Sequence, residues 1–454
     1  MDLQGKYILV AGCGVSGIAA AQLLHKVGAK PVLFDTNENL KEEEVRSRFT
    51  EECEVLIAIG RVPEEIFSQL ELVVLSPGIP VDADFVEGFK KEGLPIWGEI
   101  ELAYQFAKGG LVAITGTNGK TTTTALVGEI MQAHYDSVFV VGNIGNAYTK
   151  EALHTVDESV TVAEISSFQL ETVYDFHPHV TAILNITPDH LNRHHTMENY
   201  VAAKESVSKN QTADDYCILN YEDEYTRDFG TRCRANVVWF SSKHKLEEGF
   251  YLEEDGIYHA HDGEEKLLLR MQDTNLLGDH NAENIMAAVA MCNAYGVPMD
   301  VILGAVKKFK AVEHRIEYVA TKNGVDYYND SKGTNPDAAI KGIKAMNRPT
   351  VLLGGGYDKD STYDEWIESF DGKVKLLVLI GQTREKIAEC ANKHGFTDIA
   401  MADTFEEAMD ICIKESAPGD AVLLSPACAS WGMFPNYEVR GQRFKEIVHG
   451  IKEE

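Results

Sequence analysis

A loop able to hold a triphosphate runs from Ile114 to Thr122, Ile-Thr-Gly-Thr-Asn-Gly-Lys-Thr-Thr. It follows an apolar, strand-like run (Leu111 to Thr115) and opens a helical pattern (Thr121 to Met131). In that setting the backbone N–H groups of Gly116, Thr117, Asn118 and Gly119, with the helix N-terminus, face a bound anion. Lys120 brings a point charge to the β- and γ-phosphates, and the hydroxyl of Thr121, followed by Thr122, suits a magnesium ion. The usual G-x-x-x-x-G-K-[ST] spacing would put its first glycine at position 114, where Ile114 stands, so the loop is a shortened form. The alternative is a strand-to-helix turn that carries glycine and lysine by chance; strand, loop and helix context all agree with the cradle. An ATP-using enzyme is the expectation.

A triphosphate site needs a cation site. The β-prone run Val160 to Val162 delivers Glu164 to its carboxyl end, and Val180 to Ile186 leads into Pro188-Asp189-His190. Ligands collect at the carboxyl ends of strands in open α/β sheets, so Glu164 and His190 fall near the phosphates. Magnesium prefers oxygen; on chemistry alone His190 reads as a ligand or as a packing or hydrogen-bonding residue. Lys204, in a helical stretch, reads on its own as a solvated side chain.

A second glycine pattern, Gly12, Gly14 and Gly17, follows the strand-like Tyr7 to Ala11, and Asp35 ends the next run, Pro31 to Phe34. This is the dinucleotide fingerprint: a diphosphate on a helix N-terminus and a carboxylate for a ribose hydroxyl. It suits a nicotinamide dinucleotide, another nucleotide, or a structural turn. It identifies a class of ligand and not a reaction.

These sites need elements to carry them. The chain has 454 residues, 44% hydrophobic and 25% charged, which suits a globular protein of two or three domains. Strand-like runs alternate with helical patterns, as in parallel sheets with crossover helices. Three times such a run meets glycines: before Gly12, before Gly116, and at Val351 to Leu353 before a Gly354-Gly-Gly356 turn. The fold class expected is α/β with three domains: a Rossmann-like N-terminal domain (1–97), a P-loop-type central ATPase with a parallel sheet (98–311) and a Rossmann-like C-terminal domain (312–454). Lys91 to Gly98 reads as the first connection and Lys310 to Val312 as the second. Ala235 to Gln272 reads as small antiparallel strands added to the central sheet.

A formal charge of -29 reads as solubility and argues against a nucleic-acid binder. Acidic substrates would need local cations and N–H groups. Eight scattered cysteines without a C-x-x-C pair suit reduced thiols. No run approaches the ~20 residues of a membrane span. A cytoplasmic enzyme is expected, without nucleic-acid or membrane partners.

Several stretches together resemble the Mur ligases of bacterial peptidoglycan assembly. They are Thr115 to Thr122, Gly142-Asn-Ile-Gly145, Glu164-Ile-Ser-Ser-Phe-Gln-Leu-Glu171, Asp189-His190 and Ala202-Ala-Lys204. Further on come Gly278-Asp-His-Asn281, Glu313-His-Arg-Ile-Glu317, Asn329 to Asn335 and Leu424-Ser-Pro-Ala-Cys-Ala-Ser430. They run in order over nearly the whole chain, and the Glu164 and Leu424 stretches are similar to those of the D-glutamate-adding branch. The resemblance implies ATP, magnesium (two ions), UDP-N-acetylmuramoyl-L-alanine and D-glutamate as ligands, and a monomer. It implies an acyl phosphate, then a tetrahedral intermediate that loses phosphate.

Residue by residue, the resemblance gives Glu164, His190 and Lys204 to the metal with Thr121, Lys204 as a carbamate. Together with Lys120, these three are the catalytic set it implies. It gives Val15, Ser16, Asp35, Thr36 and Asn143 to the UDP-linked substrate. Asn281, Asn284, Arg315, Asp330 and Lys332 go to ATP, and Thr334, Lys359, Ser430 and Tyr437 to D-glutamate. Tyr437 and Trp431 stand where phenylalanine and leucine are familiar, which leaves the packing around D-glutamate open. A ligase for a folate-like acid, a nicotinamide dehydrogenase and a non-catalytic nucleotide sensor are the alternatives.

Overall fold

The computed structural model describes residues 2–143, 146–276, 278–310, 313–359 and 361–452, with Asp279 as backbone only. Three sheets organise it. The first is built from β1 (Tyr7–Ala11), β2 (Lys30–Asp35), β3 (Leu56–Ile59), β4 (Leu70–Leu75) and β5 (Ile96–Gly98), in the order β3-β2-β1-β4-β5. Every pairing is parallel. Such strands are buried on both faces, and β1, β2 and β4 are accordingly near-continuous aliphatic runs. Lys91 to Gly98 is therefore not simply a connection. Its Ile96-Trp-Gly98 stretch, buried throughout, pairs with β4 and completes the first sheet; a short apolar run after a turn lacks the length that marks a strand in sequence.

The second sheet has β6 (Gly110–Thr115), β7 (Val138–Gly142), β8 (Val160–Glu164), β9 (Val180–Ile183), β10 (Tyr216–Asn220) and β11 (Asn236–Ser241). It continues with β12 (Gly249–Glu253), β13 (Gly256–His261) and β14 (Glu264–Arg270). The order is β14-β13-β12-β11-β10-β9-β6-β8-β7. Pairing is parallel from β7 to β12, and β12 meets β13 antiparallel. The expected appendage at 235–272 is present, although its first strands still run parallel. β6 is flanked by β9 and β8, so connections leave it in opposite directions, the arrangement that opens a crevice at the strand's carboxyl end.

The third sheet has β15 (Glu317–Lys322), β16 (Val325–Asn329), β17 (Thr350–Gly356), β18 (Val374–Gly381), β19 (Ile399–Met401) and β20 (Ala421–Leu424), in the order β15-β16-β20-β17-β18-β19. Only the β15–β16 pairing is antiparallel. Gly354 to Gly356 is not a turn but the end of β17. A Cβ on Gly354 would lie 2.8 Å from the Trp366 ring, and one on Gly355 (φ +93°) 2.3 Å from the Ile380 carbonyl oxygen. These glycines admit close packing to a strand, which the sequence pattern does not separate from a turn.

By compactness the chain divides into residues 1–269 with 283–307, and residues 270–282 with 308–454. The first and second sheets share the first unit. Helix Glu99–Tyr104 joins them: Glu99 Oε1 accepts from the Thr149 N–H and hydroxyl, both at 2.7 Å. Fully buried Glu101 accepts the backbone N–H groups of Tyr174, Asp175 and Phe176 at 2.8, 3.1 and 3.2 Å. The expected second junction includes Ala311 and Val312, outside the described residues. Among the described residues no helix is long and apolar enough to cross a membrane.

The first glycine turn gives a clear test of close packing. Gly17 sits in helix Val15–Lys26, and a Cβ there would fall 1.8 Å from the Gly12 carbonyl oxygen. Gly17→Ala should cost about 1–3 kcal/mol, as overpacking does, lowering the midpoint of thermal unfolding; an unchanged midpoint would contradict that close approach.

Candidate active site

At the end of β6 the chain turns through Gly116 (φ +146°) and Gly119 (φ +87°) into helix Lys120–Gln132. The loop is fixed from behind. Thr117 N–H donates to the Asn185 carbonyl at 2.8 Å, Asn118 N–H to Asn185 Oδ1 at 2.8 Å, and Asn185 Nδ2 to the Asn118 carbonyl at 3.1 Å. The Thr117 hydroxyl meets the Tyr200 hydroxyl at 3.0 Å and the Thr187 carbonyl at 3.1 Å. A Cβ on Gly119 would lie 2.3 Å from Asn284 Oδ1, so Asn284, early in helix Asp279–Tyr295, packs under the loop. Asn281 lies one turn earlier, in the second unit.

Two lysines converge on one carbonyl. Lys120 Nζ donates to Gly116 O at 2.8 Å and to Thr117 O at 2.9 Å, while Lys204 Nζ donates to Gly116 O at 2.7 Å. Lys204 is 1% exposed and lies 4.7 Å over the Tyr200 ring. Loss of water, followed by the Lys120 charge, drives its ammonium well below the usual lysine range, with Asp189 opposing. The solvated reading of Lys204 is thus corrected: helix Met197–Glu205 carries it into the interior.

Glu164 lies alongside the loop because β8 pairs with β6, Ile114 opposite Glu164. It is buried; Asn143 Nδ2 donates to its Oε1 at 2.7 Å, and Oε2 is buried with no hydrogen-bond partner among the described residues. An orphaned buried carboxylate oxygen is costly and suits a cation. His190 takes a left-handed conformation (φ 52°) and its ring meets Phe168 at 4.9 Å. Thr121 and Thr122 are buried in the first helical turn. Lys120, Glu164 and Lys204 therefore come together around the loop, and an orphaned carboxylate oxygen with a lysine whose ammonium is disfavoured by burial is a set that fits a carbamate and a hard cation. Of the Gly142 to Gly145 turn, Ile144 and Gly145 lie outside the described residues.

Sequence reasoning missed Asn185, Tyr200 and the segment after His190. Arg193 donates to Glu171 Oε2 at 2.6 Å and to the Ile79 carbonyl at 2.7 Å, and His195 pairs with Asp82 at 2.9 Å. His194 is buried; desolvation, then Arg193, lowers it to about 4, so it is neutral beside Ser167 and Glu171. These residues tie the first sheet's loops to the second. The signal for them was a polar cluster directly after His190, which spacing alone does not interpret.

In the first sheet, Gly12 (φ +97°) follows β1 and Asp35 ends β2. Asp35 Oδ2 accepts from Cys13 N–H and Oδ1 from Asn37 N–H, both at 3.0 Å. Val15 and Ser16 open the helix, with Val15 exposed, and Thr36 is exposed beside Asp35.

In the second unit Asp330, Lys332 and Thr334 follow β16, Lys359 follows β17, and Ser430 and Tyr437 follow β20, all neighbouring strands, while Arg315 precedes β15. Asp330 is buried, accepting from Ser425 Oγ at 2.7 Å and Ile316 N–H at 3.3 Å. Desolvation outweighs those bonds and raises it from the ordinary 3.8 to about 7. Arg315 Nε is buried without a hydrogen-bond partner among the described residues. Lys332 Nζ lies 5.7 Å over the Tyr437 ring; Lys359 Nζ lies 5.1 Å over Trp431, which meets Tyr357 edge-on at 5.5 Å. Ser430 is buried, and Thr334 N–H donates to the Lys332 carbonyl. A cavity of about 890 Å³ is edged by Lys332 and Tyr437 but not by Thr334, Lys359 or Ser430.

Comparison with known proteins matches residues 6–98 to "Mur ligase MurD-like, N-terminal domain", 114–292 to "Mur ligase middle domain" and 314–428 to "Mur ligase, glutamate ligase domain". The chain belongs to the Mur ligase family. It is 58% identical, over 99% of its length and all of theirs, to the UDP-N-acetylmuramoylalanine--D-glutamate ligase of Lachnospira eligens. The protein of that name from Clostridioides difficile is 44% identical over the full length of both chains. Among solved Mur ligase structures, the UDP-N-acetylmuramate-alanine ligase of Thermotoga maritima superposes with a TM-score of 0.61 at 19% identity, covering 98% of this chain and 100% of that one. A MurF ligase from Thermotoga maritima in complex with ADP gives 0.56 at 17% identity, covering 85% and 91%. At such identities the likeness speaks for the fold alone: this Mur ligase has the family's three α/β domains.

Asp330 makes a pH prediction. With a folded value near 7 and an ordinary value of 3.8, the folded state binds more protons between them, so stability falls as pH rises through that window. Asp330→Asn should flatten that part of the stability–pH curve, read as the thermal midpoint from pH 4 to 8. A curve that keeps its fall would reject Asp330 as the source.

Proposed function

We propose that this chain is an ATP-dependent ligase that joins D-glutamate to the L-alanine carboxylate of UDP-N-acetylmuramoyl-L-alanine, in the cytoplasm and as a monomer. It releases ADP and phosphate in peptidoglycan precursor synthesis. The proposed division is a UDP-substrate domain (1–97), a central ATPase (98–311) and an amino-acid domain (312–454). The observation that carries the reading is the pair Lys120 and buried Lys204 on the Gly116 carbonyl, with buried Glu164 on the neighbouring strand, in a chain 58% identical over its length to a protein named for this reaction.

The chemistry follows from charge. A carboxylate is a poor acyl donor; transfer of the γ-phosphoryl group gives an acyl phosphate with a good leaving group. The D-glutamate amine adds to that carbon, and the tetrahedral adduct expels phosphate to leave the amide. Both steps move negative charge over phosphoryl and acyl oxygens, where preorganised cations act most strongly. Lys120 would leave the loop carbonyls for the β- and γ-phosphates. Asn284 and Asn281 are proposed for the adenine, and Arg315, Asp330 and Lys332 are proposed as further ATP contacts. Glu164, His190, Thr121 and a carbamylated Lys204 would hold magnesium, two ions in all, which supplies charge neutralisation and orientation when bound.

Carbamylation needs an unprotonated amine: its lone pair adds to CO₂, a proton leaves, and an anionic oxygen ligand results. Lys204, dehydrated and next to a second cation, is the lysine whose amine is driven toward that form. Lys359 and the Thr334 and Ser430 hydroxyls, with Tyr437, suit an amino acid with two carboxylates. Val15, Ser16, Asp35, Thr36 and Asn143 are proposed for the UDP-linked substrate, with N–H groups at the helix N-terminus of Val15–Lys26 taking the diphosphate.

Phosphate release from ATP is expected only when both UDP-N-acetylmuramoyl-L-alanine and D-glutamate are present. Equal turnover with L-glutamate, or with a folate-like acceptor, would overturn the assignment. NADH binding competed by UDP would instead favour a nicotinamide enzyme.

Lys204→Ala should lose most turnover and regain part of it with added short carboxylates, which replace the missing anionic ligand. Full turnover in Lys204→Ala without additives would remove the carbamate from the mechanism.

A further inference from the structure

Two helices of the second unit each offer a pair of ligating side chains one turn apart, a spacing that puts both on one helix face. Asp364 and Glu368 bracket the first, Asp364–Glu368; Cys390 lies in the second, Arg384–Lys393, and His394 follows it. The four meet. His394 Nε2 is 3.0 Å from Asp364 Oδ1 and its Nδ1 is 3.5 Å from Glu368 Oε1. Ligand atoms of Asp364, Cys390 and His394 all lie within 4.8 Å of one another. We propose that Asp364, Cys390 and His394 form a binding site for a zinc-class divalent cation, with Glu368 as the carboxylate that orients the imidazole. This site is separate from the magnesium site argued above.

The donor set decides the class of metal. Thiolate, imidazole and carboxylate together select zinc over magnesium, which takes oxygen. Donor atoms on a tetrahedral zinc sit about 3.5 Å apart, so small side-chain rotations close the observed spacing, and water completes the fourth position. A ligating histidine commonly gives its second ring nitrogen to a carboxylate, which fixes the tautomer. Glu368 is on the Nδ1 side of the ring, and Asp364 is on the Nε2 side. The Cys390 thiol, hydrogen-bonded to Asp364, is turned toward the same point and adds the soft donor that an imidazole–carboxylate ion pair lacks. The side chains are partly exposed, so a cation can enter, and the surrounding helices are rich in Glu365, Glu385 and Glu389. On binding, the Cys390 thiol loses its proton to solvent and a sulfur–metal bond forms; no electron is transferred.

The site has a place to act. Asp364 directly follows the loop that carries Lys359, and the same second helix already grips that loop's start, where Lys386 Nζ lies 3.1 and 3.2 Å from the Asp358 carboxylate oxygens. A metal at Asp364 would clamp the loop's other end.

The test uses the full-length protein, stripped of metal, in excess Mg²⁺ and titrated with Co²⁺ as a spectroscopic stand-in for zinc, then with Zn²⁺. A thiolate-to-cobalt charge-transfer band in the near ultraviolet, displaced by Zn²⁺, is expected; the magnesium site proposed above contains no cysteine and cannot produce it. Cys390→Ser should abolish the band, His394→Ala should weaken binding, and Glu368→Gln should weaken it about tenfold. Metal-free thermal unfolding of each variant should match the wild type, since these side chains lie on the surface. Absence of the band, or its survival in Cys390→Ser, would overturn the proposal; unchanged affinity in Glu368→Gln would remove the orienting role of Glu368.

Discussion

The Gly116 carbonyl accepts from two lysines at once, at 2.8 and 2.7 Å, and much of the first unit is arranged to make that possible. Two ammonium groups sharing one oxygen repel each other, and away from water the repulsion is not screened. Lys204, the more buried, is the one whose ammonium is driven below the usual lysine range. The arrangement needs β6 at the centre of its sheet, with β8 and β9 on either side, so that Glu164 and Asn185 arrive at the same level as the loop. It also needs a glycine at 116, because φ +146° suits few other residues and a Cβ would press to 3.0 Å from Leu184.

The same device appears at each sheet with different chemistry attached. Loops leave the carboxyl ends of adjacent strands, and glycines let the backbone come close. What differs is the charge placed there. After β1 and β2 the Asp35 carboxylate is satisfied by backbone N–H groups, and the turn needs no metal to be stable. After β6 and β8 there is a carboxylate oxygen with no hydrogen-bond partner among the described residues and a dehydrated amine. A fingerprint such as Gly12-x-Gly14-x-x-Gly17 therefore names the kind of ligand a turn can hold, and unsatisfied groups nearby separate a binding loop from a reaction centre.

How much of this was legible in the sequence depended on range. The loop at 114–122 could be read because strand, glycines, lysine and helix are contiguous, and Glu164 because a β-branched run ends on it. The α/β class and three sheets followed from the alternation of patterns. Lys204 was not legible from pattern alone: Met197–Glu205 has little amphipathic signal, and its burial comes from contacts with Tyr200 and Gly116 that sequence distance hides. Asn185 and Tyr200 brace the loop from 67 and 83 residues away. Gly354 to Gly356 misled because a glycine run in a crowded strand and one in a turn look alike, and Ile96 to Gly98 because an edge strand of three residues has no periodicity to measure. The resemblance to Mur ligases supplied roles where pattern could not.

The second unit keeps two groups that folding alone does not favour. The Asp330 carboxyl is held away from water with its ionisation disfavoured, and Arg315 Nε is buried without an acceptor among the described residues. Each costs stability unless something charged or hydrogen-bonding meets it. Arg440 shows the alternative in the same unit: buried in helix Tyr437–Gly450, its guanidinium reaches Ser331 Oγ, the Ser331 carbonyl and the Cys428 carbonyl. A fold that can satisfy Arg440 so fully could have satisfied its neighbours. That it leaves the Asp330 carboxyl with its ionisation disfavoured by burial and Arg315 Nε without an acceptor among the described residues argues that these groups are kept for a ligand and not for the core.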